Sequence, residues 1–454
     1  MVDAIFLPGL DEGPPLFGTL LPHLNRLKTL SFQISQRTHN TGCSLAEVTV
    51  PSLERLCIGA AHGGSPDNYP VDWIPSLFTR NTQAPRLRHL CLSYIPFVSP
   101  FRFNNLSHLC FDHVPSLEIR LPVVLEVLAC NPNLRELLLS QSTETAELDL
   151  QPLSKPRVPL HSLQKFRVTD MSPSATAYLL SALELEKGLA LHFRDVCHTA
   201  SAFTAIFSPS FPNGLSIFDA PKVELDSTGD HYSVIQATGL ASSVRVETQL
   251  PYYPQRSHAA RVLEDQHPRT QVVKELWIHA RYPDRRMSPR FIPHLRGFPN
   301  VEILVIKASQ SIIVDELCFV IGPEGKYPQL STLVVYIPCW TYADFCKFAE
   351  VLRHHHPELR TVRVGAVMWV DLEAVVKVLG GIAKDNNTLT FKVDGLTLDG
   401  DFGGMELPEV CTVGDATWWE WKCGLRTPEL GDAEETMRDI FSEETDLDQW
   451  SQVH

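Results

Sequence analysis

A phrase of the form L-x-x-L-x-L recurs along most of this chain at a nearly constant interval. It is clearest at Leu87, Leu90 and Leu92, and again at Leu134, Leu137 and Leu139. A proline or an asparagine usually stands just before it. A segment this short cannot bury its own apolar side. It must stack on further copies, which commits the chain to an array rather than to one closed core.

The first apolar positions of the strong copies are Leu27, Leu53, Leu87, Leu106, Leu134, Leu163, Val273, Val301, Leu330 and Leu359. The last four are 28, 29 and 29 residues apart. Weaker copies begin at Leu189, Leu215, Val244 and Leu389. The 110 residues between Leu163 and Val273 leave room for four steps of about 28. This period lies at the long end for leucine-rich repeats and leaves room for a helix after each strand. Phe345, Phe348, Ala349 and Leu352 fall at helical spacing, as do Val124, Leu125 and Leu128. Asn131-Pro132 and His356-Pro357 are expected to end those helices, because a residue before proline disfavours the α conformation. The expected fold is α/β, a leucine-rich-repeat solenoid of horseshoe form. It has a parallel concave sheet, helices on the convex face and about 12–14 irregular repeats. The alternative is an ordinary α/β domain with several parallel strands.

The expected organisation has four parts. Residues 1–20 form an irregular N-terminal lead-in or cap, and residues 21–395 the solenoid. Residues 396–427 form a C-terminal cap built on Trp418, Trp419 and Trp421, and residues 428–454 an acidic tail, disordered or with a short helix. The tail holds nine acids against Arg438, so it carries −8 of the chain's net −14. The body, at −6, does not fit general nucleic-acid binding, which needs a basic face. No apolar stretch reaches membrane-spanning length, and the acidic start does not read as a signal peptide. The 11 cysteines are odd in number and form no C-x-x-C. They fit reduced thiols in the cytoplasm or nucleus.

Strand side chains alternate, so the residues between the leucines line the face opposite the core. Stacked copies then set equivalent positions side by side. The expected partner-binding residues on that face are Arg55, His89, His108, Glu136, Lys165, Arg167, Trp277, His279, Lys307, Tyr336 and Arg363. Within this set Trp277, His279, Lys307 and Tyr336 form an aromatic–basic patch, the composition that binding hot spots favour. Cys57, Cys91 and Cys110 share one row without a nameable fourth ligand, and His354-His355-His356 reads as a solvated helix end. No catalytic residue, cofactor or metal is expected. No P-loop, G-x-S-x-G or H-E-x-x-H sequence occurs.

The phrases N-P-N-L-x-x-L-x-L and F-P-N-V-x-x-L-x-I, on this period, resemble the repeat region of F-box proteins, and most closely F-box-like proteins of mushroom-forming fungi. The resemblance spans roughly residues 20–395. It implies the substrate-holding part of a ubiquitin-ligase receptor, whose F-box docks on the adaptor of a cullin–RING ligase. Here Leu7-Pro8 echoes the start of an F-box, but Gly9, Gly13, Pro14, Pro15 and Gly18 follow and the first repeat opens at Leu27. The helical module has no room, which argues against direct adaptor docking. The expected function is a non-enzymatic protein-recognition scaffold. The alternatives are a degenerate remnant without a partner, or an enzyme in an atypical repeat shell.

Overall fold

The computed structural model describes residues 2–6, 21–34, 49–60, 84–94, 103–115, 117–141, 157–186, 188–196, 221–228, 232–239, 242–249, 270–281, 298–308, 327, 329–337, 339–355, 359–366, 368–369, 372–385, 390–395 and 405. The chain divides into two compact units, residues 1–413 and 414–454. All described residues lie in the first. The tryptophan cluster and the acidic tail lie outside them, as do the side chains of His354 and His355 and the whole of His356.

Several repeats begin with a tight turn. The N–H of the first apolar residue donates to the carbonyl three positions earlier: Leu53 to Val50 (3.2 Å), Leu87 to Ala84 (3.0 Å), Leu134 to Asn131 (3.1 Å) and Leu330 to Tyr327 (3.2 Å). Pro51, Pro85 and Pro132 occupy the second place of three such turns, where a fixed φ favours the bend. The recurrent proline of the sequence is therefore a turn residue. Asn131 is fully buried. Its side chain accepts from Leu106 N–H (2.9 Å) and donates to Val127 C=O (2.8 Å), tying one repeat to the next.

After each turn comes a strand. In chain order these are β1 (Val2–Phe6), β2 (Leu27–Ile34), β3 (Arg55–Ala60), β4 (His89–Ser93), β5 (His108–Val114), β6 (Glu136–Gln141), β7 (Val158–Leu160), β8 (Lys165–Thr169), β9 (Leu183–Leu185) and β10 (Ala190–Arg194). They continue as β11 (Lys222–Thr228), β12 (Tyr232–Thr238), β13 (Ser243–Gln249), β14 (Glu275–Arg281), β15 (Ile303–Ala308), β16 (Thr332–Tyr336), β17 (Cys339–Trp340), β18 (Thr361–Ala366), β19 (Met368–Trp369) and β20 (Thr390–Gly395). The described α-helices are α1 (Leu121–Ala129), α2 (Pro173–Ala182), α3 (Tyr342–His355) and α4 (Leu372–Asp385). None of them is long and apolar enough to cross a membrane.

The fold is α/β, with one large sheet and few helices. Among the described residues the main sheet has 16 strands, in the order β1-β2-β3-β4-β5-β6-β8-β10-β13-β12-β11-β14-β15-β16-β18-β20. Two small parallel pairs, β7·β9 and β17·β19, lie apart from it. Pairing in the main sheet is parallel except at β12, which runs antiparallel to both β11 and β13. After β10 the chain passes over two positions in the sheet, lays down β11, returns through β12 and β13, and then resumes at β14.

Two expectations are corrected. The irregular lead-in contributes β1, which pairs with β2 as the first strand of the sheet. Between β8 and β14 the chain forms the short β9 and four strands of the main sheet; the Leu189 and Val244 copies carry β10 and β13, which continue the parallel register of β8, and two further strands stand between them in the sequence. The Leu215 copy lies outside the described residues, and β11 begins at Lys222. The departure from the period is the antiparallel hairpin of β11 and β12 laid down between the Leu189 and Val244 copies.

The apolar rows run unbroken across the sheet. Leu30, Leu56, Leu90, Leu109, Leu137 and Phe166 align strand to strand, and so do Leu276, Leu304, Leu333 and Val362. All are essentially buried. They form one hydrophobic cluster with the apolar sides of the helices, including Val124 and Leu128, Leu179 and Leu180, Phe345 and Phe348, and Leu379 and Ile382. Trp340 packs edge-on against Phe345 and tilted against Phe348, with ring centroids 5.7 and 5.4 Å apart. The expected helical stripe of Phe345, Phe348, Ala349 and Leu352 is thus the core side of α3.

Between helices the link is polar. The buried Glu118 carboxylate accepts from Ser172 Oγ (2.9 Å) and Ser172 N–H, and lies 3.4 Å from Gln141 Nε2. Ser172 is also the N-cap of α2, taking the Ala175 N–H. At the strand exits, Tyr94, Asp170 and Asp195 hold positive φ (54–57°). In this turn their N–H groups reach the carbonyls of Asp112, Arg194 and Glu247 on the neighbouring strands (2.9–3.0 Å). His113, at the bulge in β5, has φ 50° and stacks its ring on Tyr94 at 4.8 Å.

Candidate functional site

Opposite the apolar rows, the intervening residues form rows of their own. The register is strict: Ser31, Cys57, Cys91, Cys110, Leu138, Arg167, His192, Arg245, Gln236, Glu224, Trp277, Val305, Val334, Arg363 and Lys392 align on successive strands. A second row contains Arg55, His89, His108, Glu136, Lys165, Lys222 and Glu275. A third contains Thr169, Arg194 and Glu247, and further on His279, Lys307 and Tyr336. All eleven expected binding residues lie on this face, in three neighbourhoods.

In the first, His89 and His108 stack nearly flat with centroids 4.1 Å apart. Burial, followed by the charges of His89, Arg135, Arg55 and Lys165, lowers the His108 pKa to about 3. The ring is therefore neutral at physiological pH. Its 3.8 Å approach to Glu136 is a polar contact, and Lys165, also at 3.8 Å, is an ionic partner of Glu136. Ser107 Oγ lies 2.7 Å from His108 Nδ1. Arg55 is exposed at the margin of this group.

The second neighbourhood centres on Glu247. Arg245 Nε is 2.6 Å from its carboxylate, His192 Nε2 3.3 Å and Arg194 Nε 4.0 Å. Burial alone would raise the Glu247 pKa, but His192 and Arg245 hold it at about 2. Burial, reinforced by Arg167, pushes His192 down despite its Glu247 contact. Arg167 donates from Nε to Thr169 Oγ1 (3.3 Å). Burial and the nearby Arg194 lower its pKa, while Glu247 and Asp112 offset them. Only Arg167 of this group was expected from sequence. His192, Arg194, Arg245 and Glu247 sit on the weak copies around Leu189 and Val244, where the spacing slips by one residue. The signal that could have found them is the alternation L-H-F-R and V-R-V-E.

The third neighbourhood is the aromatic–basic patch, which the structure brings together. Lys307 Nζ lies 5.2 Å from the centre of the Trp277 ring, and the Arg363 guanidinium 5.9 Å from that of Tyr336. Such contacts hold a cation against the ring's negative face. Trp277 Nε1 donates to Glu275 Oε1 (2.7 Å), fixing the indole. His279 is tilted against Trp277 at 6.4 Å, with Nε2 3.4 Å from Glu224 Oε1.

Exposure narrows the expected contact set. His108, Glu136, Lys165, Arg167, His279 and Tyr336 are each at most 9 % exposed. Rows this closely stacked cover one another, so these six organise the face from below. Arg55 and Arg363 are exposed, and His89, Trp277 and Lys307 half-buried. Cys57, Cys91 and Cys110 do align, as buried thiols. Among the described residues, no group of three or more His, Cys, Asp or Glu is placed to hold a metal ion.

No family model matches the sequence, and comparison with curated proteins finds no match.

Proposed function

We propose that this chain is a leucine-rich-repeat solenoid of horseshoe form, in which the charged and aromatic rows line the concave side. On this reading it is a non-enzymatic scaffold that recognises other proteins in the cytoplasm or nucleus. It resembles the substrate-holding region of an F-box ubiquitin-ligase receptor. The supporting observation is the strict register, which sets single residues of distant repeats side by side on the face opposite the core, Arg, His, Lys, Trp and Tyr among them. An extended face with varied chemistry suits a large partner, and hot spots favour these residue types.

The test is affinity capture from the source cell with the full chain, read by mass spectrometry. One variant combines Arg55→Glu with Arg245→Glu, both exposed on the face. A control, Arg86→Glu, alters an exposed turn away from it. Proteins retained by wild type and control but lost from the face variant are the expected result. Identical sets from all three would overturn the proposal. A ligase adaptor and cullin among the retained proteins would connect the scaffold to ubiquitin transfer; their absence would leave it a free-standing binder.

A further inference from the structure

Cys57, Cys91 and Cys110 stand at matched register on β3, β4 and β5, so three thiols follow one another across three adjacent parallel strands. They belong to the row opposite the core. Beside them, Leu56, Leu90 and Leu109 point into the core and are at most 2 % exposed, whereas the cysteines are 5–9 % exposed. Their side chains lie just beneath the polar surface, so an oxidant that meets them is a small solute and not a protein. Cys130, exposed at the end of α1, and Cys346, half-buried in α3, stand outside the row.

Adjacent strands run about 4.8 Å apart, inside the range of about 4.4–6.8 Å that Cα atoms span across a disulfide. Side chains at matched positions of parallel strands point the same way. Their Cβ atoms are therefore also about 4.8 Å apart, somewhat more than the roughly 3.5–4.5 Å that a disulfide takes. A bridge requires two strands to draw slightly together, and such strain makes it easier to reduce. Cys57 and Cys110, two strands apart, are separated by about 9.6 Å, beyond the roughly 7 Å limit. Cys91 is thus common to both bridges that the row allows. The Arg167 guanidinium interacts electrostatically with Cys110, so a thiolate formed there has a cation near it.

We infer that the row is a reversible oxidation site, in which a hydroperoxide converts Cys91 and one neighbour, Cys57 or Cys110, into a cross-strand disulfide. One thiolate attacks a peroxide oxygen, the O–O bond breaks, and hydroxide leaves. The second thiolate attacks the resulting sulfenic acid at sulfur, the S–O bond breaks, and hydroxide leaves again. Two thiols give up two electrons and two protons, and one hydrogen peroxide becomes two waters. A thiol reductant reverses the change. The inference is independent of the recognition function proposed above, because it concerns β3 to β5 whatever the face binds.

The test treats the reduced full chain with hydrogen peroxide, alkylates the remaining thiols in denaturant and identifies linked peptides by mass spectrometry. Peptides joined through Cys91 to Cys57 or to Cys110 are expected, with a matching loss of alkylated Cys91, and dithiothreitol should reverse both. Cys91→Ser is expected to abolish every linkage within the row. Cys57→Ser should leave the Cys91–Cys110 bridge, and Cys110→Ser the Cys57–Cys91 bridge. Circular dichroism checks that each variant is folded, and Cys91→Ala serves as a second variant without a hydroxyl to bury. Absence of any linkage to Cys91 in folded wild type, under conditions that oxidise Cys130, overturns the inference. So does a Cys57–Cys110 linkage, or a bridge that forms only when the oxidant is added in denaturant.

Discussion

Residue by residue, part of the polar face consists of ionisable side chains that the fold has buried. His108 shows the cost. Its folded pKa lies near 3, below the ordinary 6.5, so between these values the unfolded chain takes up a proton that the folded one refuses. The contribution is fully present above pH 6.5 and is lost as pH falls toward 3. We expect the melting temperature to drop between pH 7.5 and pH 5, by the equivalent of roughly 1 kcal/mol per pH unit at most from this group. His108→Gln, which cannot protonate, should flatten the drop; an unchanged slope would assign the acid sensitivity elsewhere. Glu247, held near 2, adds a separate loss only below about pH 4.5, where the unfolded carboxyl begins to protonate first. The sequence announces these positions through alternation but not their depth. Burial depends on how far a neighbouring row covers each side chain. Nor are Tyr94 and His113 legible as left-handed residues, since neither is the glycine or asparagine that such a backbone favours.

Among the elements, the turn–strand unit was the most legible. Its apolar residues alternate, its proline sets the turn, and its spacing fixes the register. The link between α2 and the preceding repeat was not. It depends on Glu118 and Ser172, 54 residues apart and joined only in the fold. Ser172→Ala should cost about 0.5–2 kcal/mol, the range for losing an N-cap. Ser172→Asp, ordinarily a good cap, should not rescue it, because a second carboxylate would then face Glu118. Denaturation midpoints of the two variants decide this, and a fully stable Asp variant would refute the assignment. The hairpin of β11 and β12 was missed for a related reason. Alternation has the same period in either strand direction, so V-E-L and S-V-I reveal a strand without its sense. β1 is short and is followed closely by Pro8 and Gly9, which hid it as well.

Across the molecule, contacts run mainly between neighbouring strands, so stability is expected to be local and additive along the array. The return at β11–β13 is the exception, because β14 relies on a strand made before β12. Val223, fully buried in β11, reports on it. Val223→Ala should remove about 2 kcal/mol. It should accelerate amide exchange in β11 to β14 while leaving β3 to β6 at the wild-type rate. Uniform acceleration along the sheet would mean that the array unfolds as one cooperative block.

That same return sets a timetable for synthesis. As the chain leaves the ribosome, β2 through β10 can each be added to the open edge left by the strand before, with β7 and β9 set aside. β11 cannot, because both its neighbours in the finished sheet, β12 and β14, are still to come. The edge of β10 waits until β13 has been translated at residue 249. A nascent chain halted at residue 228 would present that edge to solvent, or to a chaperone, and one released past 249 would not.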